Sequence, residues 1–399
     1  MNFLKSCPKR GSRAILGGLA AALAIAGCAA PGDGGGSADS PGGDSEPKQL
    51  TVTDVVGREV TVEAPLSNVA VEWSGSGGAF LTMLALEGED VADKLAGWDP
   101  GLKENRDWEW QKISEAVPAM KDVPSIGSVG DDSFDIEGLV ALKPDAFIIT
   151  ELLYESDRET IDRVEELGIP VLVIDYHDQL FETHVQSIEL LGEVFGQEER
   201  AAELTEFYQE HVGDVLERVE DIPESDWPRV YIEVGQEGPE AFGNSSDEQL
   251  WGAIIKQVGG DNIAAGAIKD AAGAPLEAEF VLKKDPEVVV ITGSHWPGFE
   301  HSMRLGYQAT KDDSTQRLLA YLDRPGWSHL SAAKEDRLYA IHHILSREVW
   351  DGASYEFLAK AFHPQEFEDL DPEGTLKEFH ERFLPYDYSG VFMLGPVGK

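Results

Sequence analysis

One unit of the sequence occurs twice. The segment FDIEGLVALKPDAFIIT at residues 134–150 is followed 142 residues later by LEAEFVLKKDPEVVVIT at residues 276–292. At that constant offset Glu137 corresponds to Glu279, Pro144 to Pro286, Asp145 to Glu287 and Thr150 to Thr292. Because the residue before a proline avoids the α-helical region, each copy predicts a helix that stops at the proline and leads into a strand. Two copies of such a unit predict a duplicated architecture.

The rest of the chain has the pattern of an α/β protein. From residue 50 onward, short apolar strands alternate with amphipathic helices, which is typical of parallel sheets. Uninterrupted Val/Ile runs such as VVVI at residues 288–291 suit strands that are covered on both faces. The first segment, residues 50–64, instead predicts an antiparallel hairpin that turns near Gly57 and Arg58.

A single long helix is predicted between the two halves. Across residues 197–222 apolar side chains recur every three or four positions, without any proline in the central part. At 1.5 Å per residue this helix is roughly 35–40 Å long, which is about the width of a small domain. The sequence therefore predicts two similar α/β lobes, residues 50–196 and residues 223–399, joined by one helix.

The N-terminus has the features of a targeting segment. Four basic residues precede an apolar run of about a dozen residues, which is too short to span a bilayer. The run ends in IAGC at residues 25–28, which resembles the lipobox of bacterial lipoproteins. The resemblance implies a signal peptide over residues 1–27, a lipid on the sulfur of Cys28, and a lipid-anchored flexible linker over residues 28–49. An ordinary signal peptide with an incidental cysteine is the alternative.

Charge limits the range of partners. The chain has 74 Asp and Glu residues against 32 Lys and Arg residues, which gives a formal net charge of −42. Nucleic-acid phosphates recruit Lys and Arg, so this balance disfavours nucleic acid as a partner. A large net charge also keeps a protein soluble and monomeric. The charge therefore predicts a monomer. The lipobox resemblance implies that the lipid on Cys28 holds it at the extracytoplasmic face of the cell membrane.

The order of several segments resembles a known family. Substrate-binding proteins of iron–siderophore and cobalamin ABC importers share the order of TVTDVVGREVTVEAPLSNVAV, IEGLVALKPDAFII, LGIPVLVID, LWGAIIKQVGGDNIAAGA, LEAEFVLKKDPEVVVI and WSHLSAAKEDRLYAI. The resemblance covers roughly residues 50–345, and residues 347–392 resemble a helical C-terminal extension of an iron-complex subgroup. It implies two Rossmann-like α/β lobes with mostly parallel sheets, joined by one long helix, with a ligand cleft between them.

The resemblance also implies a function. Such a protein captures a ferric siderophore, a small-molecule iron complex, and delivers it to the permease dimer of an ABC transporter. It is not an enzyme, and it has no resident cofactor or metal. In the family a surface glutamate on each lobe docks with arginines of the permease, and Glu137 and Glu279 are at the matching positions. The alternative is that each glutamate only stabilises the first turn of its helix through the helix dipole.

Candidate ligand-binding residues follow the strands, because ligands of open α/β sheets bind beyond the carboxyl ends of the strands. The first lobe contributes Trp73, Glu151, Tyr154, Tyr176 and His177, and the second contributes Phe242, His295, Trp296, His342 and Arg347. Aromatic faces with a few polar groups suit a bulky chelate, and the planar fork of Arg347 matches a carboxylate. Arginine is otherwise scarce in these loops, which favours a neutral or cationic complex.

Three alternatives stay open. The ligand could be cobalamin or haem in place of a ferric siderophore. A bare metal ion would need three or four converging ligands, for which the candidates are Glu151, His177, Glu233 and His295. The third alternative is an extracellular metal-dependent hydrolase, although the sequence has neither an HExxH nor a GxSxG motif.

Overall fold

The computed structural model describes residues 48–75, 77–130, 133–268 and 273–398. The predicted signal peptide, Cys28 and nearly all of the predicted linker lie outside these ranges. Within them, no helix combines the length and the apolar character that crossing a membrane requires.

The described chain begins with an antiparallel hairpin of β1 (Lys48–Thr53) and β2 (Glu59–Ala64). Its turn contains Gly57 with a φ of 78°, in the left-handed region that glycine adopts without strain. This confirms the hairpin that the sequence predicts.

The first lobe carries a four-stranded parallel sheet with the strand order β4-β3-β5-β6. Its strands are β3 (Val69–Val71), β4 (Leu95–Trp98), β5 (Ala146–Thr150) and β6 (Val171–Ile174). Its helices are α1 (Ala79–Glu87), α2 (Gly101–Asn105), α3 (Asp107–Ala116), α4 (Ile136–Leu142), α5 (Glu151–Ser156), α6 (Arg158–Glu166) and α7 (Phe181–Phe195). Every residue of the four strands is buried, as expected where helices cover both faces of a sheet.

Helical segments occupy the predicted connection between the lobes. They are α8 (Glu198–Tyr208), a π-helical turn (Gln209–Gly213) and α9 (Asp214–Val219), which follow directly one after another. The apolar residues Leu204, Val212 and Val219 are buried, because this face packs against both lobes in one continuous core. The exact boundaries of the lobes stay a prediction.

The second lobe carries a five-stranded sheet with the order β13-β12-β11-β7-β9, in which only β13 is antiparallel to its neighbour. The strands are β7 (Arg229–Val234), β8 (Asn244–Ser245), β9 (Asp261–Asn262), β10 (Ala274–Pro275), β11 (Val288–Gly293), β12 (Leu338–His342) and β13 (Met393–Val397), of which β8 and β10 pair separately. The helices are α10 (Trp251–Gln257), α11 (Ala278–Lys284), α12 (Lys311–Ala320), α13 (Ser331–Lys334), α14 (Gly352–Phe362) and α15 (Pro372–Phe383).

The two sheets have the same order. The strands β4-β3-β5-β6 of the first lobe correspond to β9-β7-β11-β12 of the second, and β13 is an addition from the C-terminal extension. The repeated unit is α4–β5 in one lobe and α11–β11 in the other, with seven residues in each helix. The predicted duplication and the α/β class with mostly parallel sheets are therefore confirmed.

The two repeated helices end in the same way. Lys143 and Asp285, the residues before the two prolines, have φ values of 51° and 49° and so leave the α-helical region. After the proline, the Asp145 carboxylate accepts hydrogen bonds from two backbone N–H groups just before β3. The Glu287 carboxylate accepts one from the first residue of β7. Each helix–strand connection is thus fixed to the start of the neighbouring strand.

Two buried histidines make the core sensitive to acid. The Nδ1 atom of His184 is 2.7 Å from the hydroxyl of Tyr208, and Nδ1 of His380 donates to the carbonyl of Leu376 at 2.7 Å. Burial lowers the pKa of each of these histidines from 6.5 to about 4. Each ring therefore contributes stability that is present above pH 6.5 and is lost as the pH falls towards 4, because only the unfolded chain binds the proton readily.

We expect each of the two histidines to lower the free energy of unfolding by up to about 3 kcal/mol as the pH falls from 6.5 to 4, whereas Glu72, whose pKa is raised to about 8, contributes in the opposite direction. Urea unfolding of the native chain and of His380→Gln at pH 7.5 and pH 4.5 isolates the contribution of His380. On going from pH 7.5 to pH 4.5, the variant is expected to lose less stability than the native chain, or to gain more. An equal difference in both proteins would show that His380 does not carry this dependence.

Candidate functional site

A cavity of about 470 Å³ lies beyond the carboxyl ends of the first-lobe strands, where the lobes meet. Most of its walls come from the loops that follow β3, β4 and β5, and Arg347 comes from the segment after β12. The lining residues are Trp73, Gly75, Asp99, Pro100, Gly101, Glu104, Asn105, Arg106, Ser128, Gly130, Leu153 and Arg347. The position agrees with the rule that open α/β sheets bind ligands at this edge.

The cavity is lined by two arginines, one from each lobe. Arg106 is only 6% exposed and donates from Nη1 to the Ser294 hydroxyl of the second lobe at 3.1 Å. Burial lowers the pKa of Arg106, although the charges of Glu109 and Glu348 oppose the effect. Burial and the charge of Arg106 lower the pKa of Arg347 to about 10. Both guanidiniums stay charged at neutral pH and repel each other, and the charge of Glu348 partly offsets both of them.

Trp73 forms the aromatic wall of the cavity. It has a φ of 57°, a strained conformation for a bulky residue, and its ring packs against His177 at 4.7 Å between centroids. Burial lowers the pKa of His177, and the charge of Arg347 lowers it further. Strain of this kind persists only where surrounding contacts hold it, and it concentrates at functional sites.

Two buried carboxylates hold the lining loops together. Asp99 accepts hydrogen bonds from the backbone N–H groups of Ser74 and Gly101, and Glu72 accepts one from Val129 at 2.7 Å. Burial and the charge of Asp99 raise the pKa of Glu72 to about 8. Glu72 lies behind the cavity wall, and the carboxylates that line the cavity itself are those of Asp99 and Glu104.

Helix α3 joins the first lobe to the second beside the cavity. His295 Nδ1 is 2.6 Å from an Asp107 carboxylate oxygen, and the His295 ring stacks on Trp108 at 4.4 Å and 6°. Two residues after Asp107, Glu109 Oε1 is 3.2 Å from His342 Nε2. Trp108 therefore acts in packing between the lobes, and these contacts close one side of the cleft.

The structure brings together only some of the predicted ligand residues. Trp73 and Arg347 line the cavity, and His177 lies directly behind Trp73. Two predictions are corrected. Tyr176 is fully buried with its hydroxyl 2.7 Å from that of Thr82, and His342 is fully buried against Glu109. Both side chains point into packed interfaces, so neither can reach a ligand in this arrangement.

The other predicted residues do not line the cavity. Leu153 lines the cavity, and the side chain of the next residue, Tyr154, points away from it. The ring of Tyr154 lies between the guanidiniums of Arg58 and Arg158, whose central carbons are 4.4 and 3.9 Å from the ring centre. Phe242 packs beside Trp327 in the second-lobe core. Trp296 lies 5.7 Å from the ring of His343, and His295 is bound to Asp107.

The predicted bare-metal ligands do not converge. Glu233 is held by both Nη atoms of Arg324, at 2.7 and 2.8 Å, and His295 is held by Asp107. These two ligands are thus already paired, which corrects the proposed set. Among the described residues, one other group has three ligand atoms within 4.8 Å of one another: Glu151, Asp175 and Asp178.

Arg106 and Asp99 are the site residues that sequence reasoning missed. Both follow β4, whose sequence LAGW is too short and too interrupted by glycine to be recognised as a strand. In the segment WDPGLKENRDWEW at residues 98–110, the most prominent feature is its three tryptophans. Arg106 is the one arginine in this segment and directly follows a short helix, and this was the signal in the sequence that could have identified it as a site residue.

Comparison with known proteins identifies several relatives. A family model described as "Periplasmic binding protein" matches residues 81–345. The crystal structure of a TroA-like periplasmic binding protein, FepB from Veillonella parvula, has a TM-score of 0.81 and 44% sequence identity, and the match covers 86% of this chain and 99% of that one.

Two sequence relatives extend over most of the chain. YvrC of Bacillus subtilis, named as an uncharacterized ABC transporter substrate-binding lipoprotein, is 24% identical over 88% of this chain and 96% of its own length. The molybdate-binding protein MolA of Haemophilus influenzae is 21% identical over 86% of this chain and 90% of its own.

Proposed function

We propose a ligand and a docking mode from one premise: the chain belongs to the periplasmic binding protein family, whose model matches residues 81–345. It is a substrate-binding protein of an ABC importer and not an enzyme. Its task is to bind a small molecule between two lobes and to present it to a transporter. The ligand in this proposal is an anionic ferric chelate, of the ferric-siderophore class.

The observation that carries the proposal is the pair Arg106 and Arg347. Each lobe contributes one guanidinium to the same cavity, and the pKa of each is lowered by burial. An anionic group between them would relieve their repulsion and accept charge-assisted hydrogen bonds from both planar forks. The pair supports an anionic ligand, against the neutral or cationic complex that the sparse arginines of the sequence favour.

The size of the cavity supports a chelate. Small-molecule sites are typically about 300–1,000 Å³ with aromatic walls, and the cavity of about 470 Å³ with Trp73 fits that description. A free oxyanion such as molybdate, the ligand named for MolA, would also suit two arginines. It would leave most of this volume to water, since it consists of one metal atom and four oxygens. The ferric chelate is therefore the first candidate and the oxyanion the second.

Location and docking complete the proposal. The relative YvrC is named a lipoprotein, which supports a lipid on Cys28 and an extracytoplasmic position. Glu137 and Glu279 are exposed at the second position of α4 and α11. In a parallel sheet, the helix before a strand starts at the carboxyl edge of that strand. Both glutamates therefore face the edge where the cavity lies, and there they would dock with basic residues of the permease dimer.

Tryptophan fluorescence of the purified protein tests the ligand. Titration with ferric citrate, a ferric catecholate and a ferric hydroxamate is expected to give saturable quenching with at least one chelate, because the iron would lie against Trp73. Trp73→Phe should lose most of that quenching. Molybdate, cobalamin and haem are the comparison ligands. A response to one of these three, with no response to any ferric chelate, would reject the proposed ligand class.

A further inference from the structure

Large apolar side chains are rare on this surface, and two of them are related by the repeat. In the described residues, five large hydrophobic side chains are exposed: Val140, Leu152, Leu167, Leu180 and Leu282. Val140 on α4 is 37% exposed, and Leu282 on α11 is 36% exposed. They are 142 residues apart, the offset of the repeat. Leu152, Leu167 and Leu180 lie after the repeated unit, which ends at Thr150 and Thr292.

The two helices present the same face to solvent. Val140 is three residues after Glu137, and Leu282 is three residues after Glu279, so each aliphatic side chain lies next to its glutamate on one helix face. The inner faces agree as well, because Leu139 and Val281 are each fully buried. Both helices therefore have the same rotation about their axes, with an acid and an aliphatic side chain outward in each; α4 also exposes Ala141, and α11 also exposes Lys283 and Lys284.

Acidity alone cannot define a docking site on this protein. Asp and Glu account for 74 residues, so a basic partner would meet carboxylates over much of the surface. An exposed ion pair also contributes little free energy, at about 0–1 kcal/mol. An apolar side chain that enters a recess adds affinity through burial, and it does so at few places on this surface. Leu152 and Glu155 make a similar pair on α5, but among the described residues only Glu137 and Glu279 carry an exposed aliphatic neighbour in both copies of the repeat.

The segment before α4 leads from the wall of the cavity, and specific contacts hold both helices in place. Ser128 and Gly130 line the cavity, and α4 begins six residues after Gly130. The Asp135 N–H donates to the Ile126 carbonyl at 2.8 Å, which fixes the approach to the helix. In the second lobe, Leu282 packs over Gly326, which holds its side chain at the surface.

We infer that Glu137 with Val140, and Glu279 with Leu282, form two equivalent two-part contacts for one symmetric partner. The identity of the partner rests on the proposed function: it is the permease dimer. Each permease subunit presents a basic side chain beside an apolar recess. The carboxylates set the register and speed the encounter, and the aliphatic side chains hold the complex together.

Photo-crosslinking in cells that produce the full-length chain tests this surface without any ligand. A benzophenone amino acid at position 140 or 282 is expected to form an adduct with an integral membrane subunit of an ABC transporter, identified by mass spectrometry. The same probe at position 167 is the matched control, because Leu167 is more exposed but lies outside the repeated unit. Adducts with soluble proteins only, or equal transporter adducts from position 167, would overturn the inference.

A second measurement separates the contribution of the two aliphatic side chains from that of the two glutamates. With the probe at the exposed Lys283, the double variant Val140→Gln and Leu282→Gln should lower the transporter adduct about tenfold, while Leu167→Gln should leave it unchanged. A yield within twofold of the native chain contradicts the two-part contact. Failure of every ferric chelate in the fluorescence titration, with these adducts intact, would reject the proposed ligand and leave the docking surface standing.

Discussion

Replacing Arg106 and Arg347 together with glutamine is expected to weaken binding of an anionic ferric chelate by about a thousandfold. Each guanidinium would make a charge-assisted hydrogen bond to the ligand, and losing one such contact typically costs about 2 kcal/mol, or roughly thirtyfold in affinity. The two losses add only if both arginines contact the ligand at once. A double variant no weaker than the single variants would show that one arginine acts alone.

The contributions of charge and of side-chain shape to binding can be tested separately. Arg347→Lys keeps the positive charge but loses the planar fork, so we expect an affinity between those of the native chain and Arg347→Gln. Arg382→Gln is the control, because Arg382 pairs with Glu378 on the surface of α15, away from the cavity. Dissociation constants from tryptophan quenching measure all the variants, and thermal unfolding checks that each one folds. Native affinity in the double variant would falsify the arginine site.

Most of the fold that could be predicted from the sequence follows from the repeated unit. A proline fixes the end of its helix through local sterics, and a Val/Ile run identifies a buried strand, so both features depend on neighbours in the chain. The same signals occur in both lobes, which is why the duplication and the parallel sheets were predictable. The strand β4 was not predicted, because its four residues include a glycine and show no periodicity.

The site was harder to predict because contacts between distant residues determine it. His295 meets Asp107, and Arg106 meets Ser294, in each case across 188 residues of the chain. Whether His342 faces a ligand or Glu109 depends on where α3 lies, and no local pattern around His342 specifies that. The rule for strand ends correctly located the edge of the sheet, but lobe packing selected the side chains that reach the cavity.

Charge reversal at both docking positions, Glu137→Lys with Glu279→Lys, is expected to abolish import of the bound chelate while leaving its binding to the purified protein unchanged. Two like charges facing each other across an interface cost several kcal/mol, and here the repulsion would occur at both permease subunits. Import of the ⁵⁵Fe-labelled chelate that quenches the purified protein measures the first effect, and the quenching titration measures the second.

The matched control changes the net charge by the same amount elsewhere. Glu159→Lys with Glu166→Lys alters two exposed glutamates of α6, and it should leave import intact. The competing explanation, that Glu137 and Glu279 only stabilise the first turns of their helices, makes the opposite pair of predictions. It requires a loss of about 1 kcal/mol in the free energy of unfolding per lysine, with import close to native. Import and unfolding measured on the same two variants therefore decide between a docking role and a purely helical one.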